Sequence, residues 1–225
     1  MRNTLHLLLT ATLAVATSLG AQSIPFTDQT GLLPTTTFHS GNAIGVCDMN
    51  GDKKDDIVRA SQNATQFVET QQAPNDTFTE ASSAANIGDP WGMCVGDVNN
   101  DGFNDVLWGD FGATRILTWN GSGYTGTDVT SSTSAGFIFV QGCNFQDIDN
   151  DGFLDAFVCN DVAMSHIYMG DGANGWTYNN SVEMPLATTP ASDNSGNYAS
   201  IWSDINNDGY IDLMITHCRQ GVSNP

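Results

Sequence analysis

The chain has 225 residues, 40% of them hydrophobic and only 14% charged, yet its formal net charge is −19. Six basic residues exclude a nucleic-acid surface, because phosphate binding needs clustered Lys and Arg. The length allows one sizeable core or part of a larger one.

The N-terminus reads as a targeting segment over residues 1–21. Arg2 supplies a positive start, and Leu5 to Leu19 is apolar apart from His6 and a few Thr and Ser. Small residues in Ser18-Leu-Gly20-Ala21 offer cleavage after Gly20 or Ala21. The run is too short and too poorly flanked to span a bilayer, and no later stretch is apolar enough. The expected mature chain, residues 22–225, is therefore secreted or held at the cell surface or in the periplasm. Loss of Arg2 makes it one charge more negative.

Four copies of one acidic pattern follow. They are Asp48-Met-Asn50-Gly-Asp52-Lys-Lys54-Asp-Asp56, Asp97-Val-Asn99-Asn-Asp101-Gly-Phe103-Asn-Asp105, Asp147-Ile-Asp149-Asn-Asp151-Gly-Phe153-Leu-Asp155 and Asp204-Ile-Asn206-Asn-Asp208-Gly-Tyr210-Ile-Asp212. Aspartate makes up 22 of the 25 acidic residues, and 14 of those 22 lie in these loops. Such clustering argues against a merely solvated or disordered acidic surface. Each loop puts side-chain oxygen at positions 1, 3, 5 and 9. Calcium takes six to eight oxygens at about 2.3–2.6 Å, which is the chemistry this pattern offers. Polar turns without a metal would leave four sets of carboxylates repelling one another. First residues lie 49, 50 and 57 apart, a period that points to a propeller or array.

The segments beside the loops read as strands. Before them stand Ala43–Val46, Trp91–Val95, Phe137–Val140 and Tyr198–Trp202. After them stand Ile57-Val58, Val106–Trp108, Ala156–Cys159 and Leu213–Ile215. Further strands are expected at Thr114–Trp119 and Gly123–Thr127, and at Ser165–Met169 and Trp176–Tyr178, with Asn120-Gly121 and Gly170-Asp-Gly172 as turns. Phe26-Thr-Asp28, Phe78-Thr-Glu80 and Thr127-Asp-Val129 each read as the outermost strand of a preceding unit. Four strands in about 50 residues make one propeller blade. No helical period of 3.6 follows the targeting segment. The chain is thus expected to be all-β, with about three and a half blades of a propeller. The rest of the ring is expected from sequence beyond Pro225.

The same first six residues open EF-hand loops, which need an acidic or polar ligand at position 12 and a following helix. Position 12 here is Arg59, Trp108, Val158 and Ile215, and position 9 is Asp in all four loops. The EF-hand reading fails on both counts.

The loops and their spacing resemble the FG-GAP/VCBS repeat family, the integrin-α-like calcium-binding β-propellers, from about residue 25 to 220. Phe111-Gly112-Ala113 is a faint echo of the family's name-giving phrase, so the loops carry the resemblance. It implies a fragment of a seven-bladed ring whose blades are joined in their first hairpin by a calcium loop. It implies up to four structural calcium sites. These are Asp48, Asn50, Asp52, Asp56 and the carbonyl of Lys54; Asp97, Asn99, Asp101, Asp105 and the carbonyl of Phe103; Asp147, Asp149, Asp151, Asp155 and the carbonyl of Phe153; and Asp204, Asn206, Asp208, Asp212 and the carbonyl of Tyr210. The first loop departs from the pattern, with Lys53 where Gly stands at position 6 in the others. It is expected to bind calcium most weakly unless Asp55 compensates.

Five cysteines, Cys47, Cys94, Cys143, Cys159 and Cys218, leave at least one unpaired, and no CxxC spacing suggests zinc. If the third loop closes a symmetric hairpin, Cys143 and Cys159 sit opposite each other, as a disulfide or as buried thiols. His39, His166 and His217 are isolated, and His217 is expected to be packed or superficial. No Gly-Xaa-Ser-Xaa-Gly elbow, phosphate loop or His-Glu-Xaa-Xaa-His occurs. Trp91, Trp108, Trp119, Trp176 and Trp202 are expected in the core rather than as a sugar-stacking surface. Asn63, Asn75, Asn120 and Asn179 open glycosylation sequons. The reading that results is a calcium-binding scaffold for adhesion to an extracellular protein or glycan, without a catalytic site. Its rival is a lectin or a glycan-processing enzyme such as a polysaccharide lyase, with its active site outside this stretch.

Overall fold

The computed structural model describes residues 27–34, 43–61, 65–73, 77–85, 88–179 and 196–217. The targeting segment, His39, Asn63, Asn75 and Cys218 lie outside these residues. After a short 3-10 turn at Thr30–Leu32, every element but one is a strand. The first sheet holds β1 (Ile44–Cys47), β2 (Asp56–Ser61), β3 (Thr65–Gln72) and β4 (Thr77–Ala85). The second holds β5 (Gly92–Gly96), β6 (Asp105–Gly109), β7 (Thr114–Trp119) and β8 (Tyr124–Asp128). The third holds β9 (Val140–Gln146), β10 (Asp155–Asn160), β11 (His166–Gly170) and β12 (Trp176–Tyr178). A fourth pairs β13 (Asn197–Ser203) with β14 (Asp212–His217). Every sheet is an antiparallel meander in chain order.

Register places the acidic loops. Cys47 pairs with Asp56, Gly96 with Asp105, Gln146 with Asp155 and Ser203 with Asp212. The ninth loop residue therefore always opens the second strand, opposite the residue that precedes the first. Each loop is the hairpin between a sheet's first two strands.

The sheets stack face to face through their first strands: β1 lies beside β5, β5 beside β9 and β9 beside β13. Period-2 alternation sorts the side chains between the interfaces. Val106 and Trp108 of β6 face the first sheet, with Val58 and Val68; Leu107 faces the third, with Ala156 and Val158. Phe157 and Cys159 of β10 face the fourth, with Ile215 and Trp202. The second strands of the second and third sheets, β6 and β10, are buried on both faces, so they read as unbroken apolar runs rather than alternating ones. First strands approach so closely that a Cβ on Gly92 would lie 3.0 Å from Gly142 Cα. Both glycines stand five residues before their loop, where the other two repeats have Ala43 and Ala199.

The series is open. Ile44 and Val46 on the first sheet are 62% and 63% exposed, whereas Met93 and Val95, their equivalents in the second sheet, pack against the sheet before. At the other end Ile201 and Met214 pair across β13 and β14 and are 54% and 45% exposed.

Three sequence expectations need correction. The run Phe137–Val140 is not the third sheet's first strand, which is Val140–Gln146; Phe139 makes only an isolated bridge to Phe111. Apolarity there reflects an aromatic cluster, with Phe111 centred 5.0 Å from Phe137 and 5.2 Å from Phe139. A helix, α1 (Val129–Thr133), does occur, too short to show a period; Asp128 caps it by accepting the Ser131 N–H at 3.0 Å. The phrase Thr127-Asp-Val129 thus runs from β8 into α1, while Phe78-Thr-Glu80 does lie in an outermost strand, β4. Finally, Cys143 and Cys159 do not sit opposite each other, although both are buried free thiols, one of the two expected alternatives. Cys143 pairs with Val158 across the hairpin, so Cys159 points to the opposite face.

Candidate metal centres

The four loops share one hydrogen-bond scaffold. The position-1 carboxylate accepts the N–H groups of positions 5 and 6: Asp97 from Asp101 and Gly102 at 3.1 and 2.9 Å, Asp147 from Asp151 and Gly152 at 3.1 and 3.0 Å, Asp204 from Asp208 and Gly209 at 3.0 and 2.9 Å. Asp48 does the same for Asp52 and Lys53, at 3.1 and 2.7 Å. Position 3 accepts the position-5 N–H in each loop, through Asn50, Asn99, Asp149 and Asn206. Position 5 accepts the position-7 N–H, so Asp52, Asp101, Asp151 and Asp208 hold Lys54, Phe103, Phe153 and Tyr210. The loop backbone is thereby wound around oxygens at positions 1, 3 and 5. Those side chains are half-buried to exposed.

In the third loop one oxygen each from Asp147, Asp149 and Asp151 lies within 4.8 Å of the others. Two ligands of one calcium ion lie no farther apart than about twice 2.3–2.6 Å, so this set fits the ion. The donors are all hard carboxylate oxygens. In the second and fourth loops the position-3 amide nitrogen donates to the position-5 carboxylate: Asn99 to Asp101 at 3.1 Å, Asn206 to Asp208 at 3.0 Å. The first loop instead places Lys54 Nζ 3.6 Å from Asp52.

Position 9 is different. Asp56, Asp105 and Asp155 are fully buried. One oxygen of each accepts the N–H of loop position 2 (Met49, Val98, Ile148) at 2.9, 3.0 and 2.8 Å. The other accepts an N–H from the third strand (Gln71, Trp119, Gly170) at 2.9, 2.8 and 2.9 Å. The carboxylate therefore latches the loop and three strands together. Burial pushes the Asp105 pKa up to about 6, opposed by those two N–H donors, and burial also raises Asp56 and Asp155. Asp212 repeats the first half of the latch, to Ile205 at 2.8 Å, and is half-exposed.

Two backbone positions in each loop lie in the left-handed region, not one. Position 6 is Gly102, Gly152 and Gly209 at φ 88°, 93° and 88°, and Lys53 at φ 68°. Position 4 is Asn100, Asn150 and Asn207 at φ 55°, 60° and 58°, and Gly51 at φ 77°. Sequence reasoning missed position 4, although Asn or Gly stands there in all four loops and both tolerate positive φ. The first loop has its glycine at 4 rather than 6.

A family model for the FG-GAP-like repeat matches residues 48–108, 97–158 and 147–215, each match running from one acidic loop into the strand after the next. The chain belongs to the FG-GAP-like repeat family. Its repeats span most of the described strands, and the loops open each match. Among solved structures, a crystal structure of BBS1N in complex with ARL6DN, soaked with mercury, superposes with a TM-score of 0.51 at 10% identity, over 80% of this chain and 52% of that one. A lead-soaked crystal of the same complex gives 0.40 at 13%, over 59% and 42%. The first likeness supports a propeller-like fold, and the chain spans about half the length of that solved chain. No curated protein matches this sequence.

Other residues singled out in the sequence divide. Trp108 and Trp119 are fully buried, and Trp176 and Trp202 are half-buried against the core, but Trp91 is 42% exposed. Its ring lies edge-on to Phe139 at 5.8 Å, extending the Phe111–Phe137 cluster. Beside it, on the first strands, Trp91, Gln141, Asn144, Tyr198 and Ser200 line a cavity of about 290 Å³. His166 is buried 3.0 Å from the Tyr168 hydroxyl, and burial lowers its pKa to about 4, so it stays neutral. No helix among the described residues is long and apolar enough to cross a membrane.

Proposed function

We propose that this FG-GAP-like repeat chain is an exported, calcium-braced scaffold that presents its end surfaces to a protein or glycan partner. The observation that carries the metal part is the convergence of Asp147, Asp149 and Asp151 within 4.8 Å on a loop whose N–H groups already orient them. Asp97, Asn99 and Asp101, Asp204, Asn206 and Asp208, and Asp48, Asn50 and Asp52 would hold further ions in the same way. The position-7 carbonyls of Lys54, Phe103, Phe153 and Tyr210 would add a ligand each. The ion would supply positive charge that offsets carboxylate repulsion. The chain's own part is the latch of Asp56, Asp105 and Asp155, which fixes each loop to the sheet before any ion arrives.

The binding part rests on surface chemistry. Phe111, Phe137 and Trp91 are exposed together at the end of the sheets away from the acidic loops, next to the cavity lined by Tyr198, Asn144 and Ser200. Exposed apolar patches of this kind mark interaction sites. The neighbouring fold, crystallised as BBS1N with ARL6DN, is one that holds a protein partner.

Isothermal titration of the chelator-stripped chain with calcium tests the metal part. Heat saturating at one or more ions per chain, with a rise in melting temperature, is expected. No heat and an unchanged melting curve would remove calcium. Binding on a glycan array or to extracellular proteins, lost on Trp91→Ala with melting unchanged, tests the surface; retained binding would exclude it.

A further inference from the structure

The sequence drew attention to Cys143 and Cys159, but the packing of the sheets brings Cys143 to a different cysteine. Gly92, Cys94 and Gly96 share one face of β5, the face toward β9. A Cβ on Gly92 would meet Gly142 Cα at 3.0 Å, and one on Gly96 would meet Phe145 Cβ at 3.7 Å. Cys94 therefore lies between two contacts with β9, at residues 142 and 145, and Cys143 lies between the same two. Cys143 and Phe145 point back toward β5, in the core shared by the second and third sheets, and Cys94 packs against that core. The Cys143 thiol also reaches the second sheet, where it donates to the Leu107 carbonyl at 3.8 Å. Met93 and Val95, the neighbours of Cys94, point the other way, into the first interface. Both cysteines are free thiols, and Cys47 and Cys159 belong to other interfaces.

We propose that Cys94 and Cys143 are a modification site: a dithiol that oxidises to a disulfide joining the second and third repeats. The oxidant is a disulfide, either of a protein or of a small thiol such as glutathione. The half-buried Cys94 Sγ, as thiolate, attacks one sulfur of that disulfide and expels the other as a thiol. Cys143 Sγ then attacks the Cys94 sulfur of the mixed disulfide and expels the second thiol. Two protein thiols lose two protons and two electrons, and one external disulfide is reduced to two thiols. Cys143 acts second because it is buried whereas Cys94 is half-buried; the neighbouring Cys94 and then burial hold its thiol well above the usual range. The bond ties two first strands that otherwise meet only through packing. It crosses an interface between repeats, whereas the acidic loops brace each repeat within itself.

The test uses the full chain with calcium present, oxidised with glutathione disulfide, alkylated, and mapped by mass spectrometry without reduction. A linked peptide pair containing Cys94 and Cys143, with Cys47 and Cys159 alkylated, is expected. Alkylation of both Cys94 and Cys143, or Cys143 linked to Cys159 or to Cys218, would overturn the proposal. Oxidation should also raise the melting temperature by roughly 5–15 °C, as expected for a bridge closing a long loop. That rise should vanish in Cys94→Ser and in Cys143→Ser. A rise that survives in either folded variant would also refute it, and the wild-type peptide map decides should the variants fail to fold.

Discussion

The first and third acidic loops have the same backbone and different side chains. Asp48 and Asp147 accept equivalent N–H groups, and Asp56 and Asp155 make equivalent latches to Gln71 and Gly170. Yet the third loop gathers three carboxylates within 4.8 Å, whereas the first has Asn50 for Asp149 and sets Lys54 beside Asp52. It also holds Lys53, a residue with a Cβ, at φ 68°. Loop shape is therefore set by carboxylate-to-backbone bonds that survive these exchanges. The charge that each loop presents is set separately, by which side chains stand at positions 3, 6 and 7.

The largest effect should come from what the two loops share. Asp155→Ala leaves the buried N–H groups of Ile148 and Gly170 without acceptors, a loss of roughly 2–6 kcal/mol at about 1–3 each. Asp56→Ala should cost a similar amount. Urea denaturation in chelator checks this, and a loss below about 1 kcal/mol at either site would break the equivalence. Next is removal of calcium. Each filled site contributes about 2.7 kcal/mol at 100 times its dissociation constant, so chelation should lower the melting temperature by several degrees. Asp151→Asn should abolish more of that calcium-dependent shift than Asp52→Asn; equal losses would show that the first loop binds as well as the third. A smaller effect is expected from Lys53→Gly, about 0.5–1 kcal/mol of stabilisation in chelator, because relief of the left-handed strain exceeds glycine's entropic cost. It should also tighten calcium binding at the first loop, measured by titration; unchanged affinity would show that the backbone at position 6 is not limiting. The smallest is Lys54→Gln. It removes a partly exposed ion pair worth up to about 1 kcal/mol and should raise first-loop affinity slightly, with no change at the third.

Much of this molecule was legible in its sequence because its repeats are local. Four loops at a fixed period, each between two short apolar runs, determined the antiparallel hairpins, and Thr114–Trp119 and Trp176–Tyr178 are strands as written. Less visible was anything that depends on which face of a strand meets which neighbour. Phe137–Val140 looks like a strand because it is apolar, but those rings serve an aromatic cluster with Phe111. The carboxylate of Asp105 looks like its neighbours in the loop, yet burial and two backbone donors make it a latch.

The sequence by itself determined the repeat, the hairpin loops and the side-chain oxygens at positions 1, 3 and 5 around which each loop winds, since these follow from residue type and spacing within nine residues. Only the tertiary structure decided that position 9 turns inward, that the end faces with Ile44 and Ile201 stay exposed, and that Cys143 shares its interface with Cys94 rather than with Cys159. The physical reason is alternation. Adjacent residues of a strand point to opposite faces, and only the stacking of whole sheets decides what each face touches.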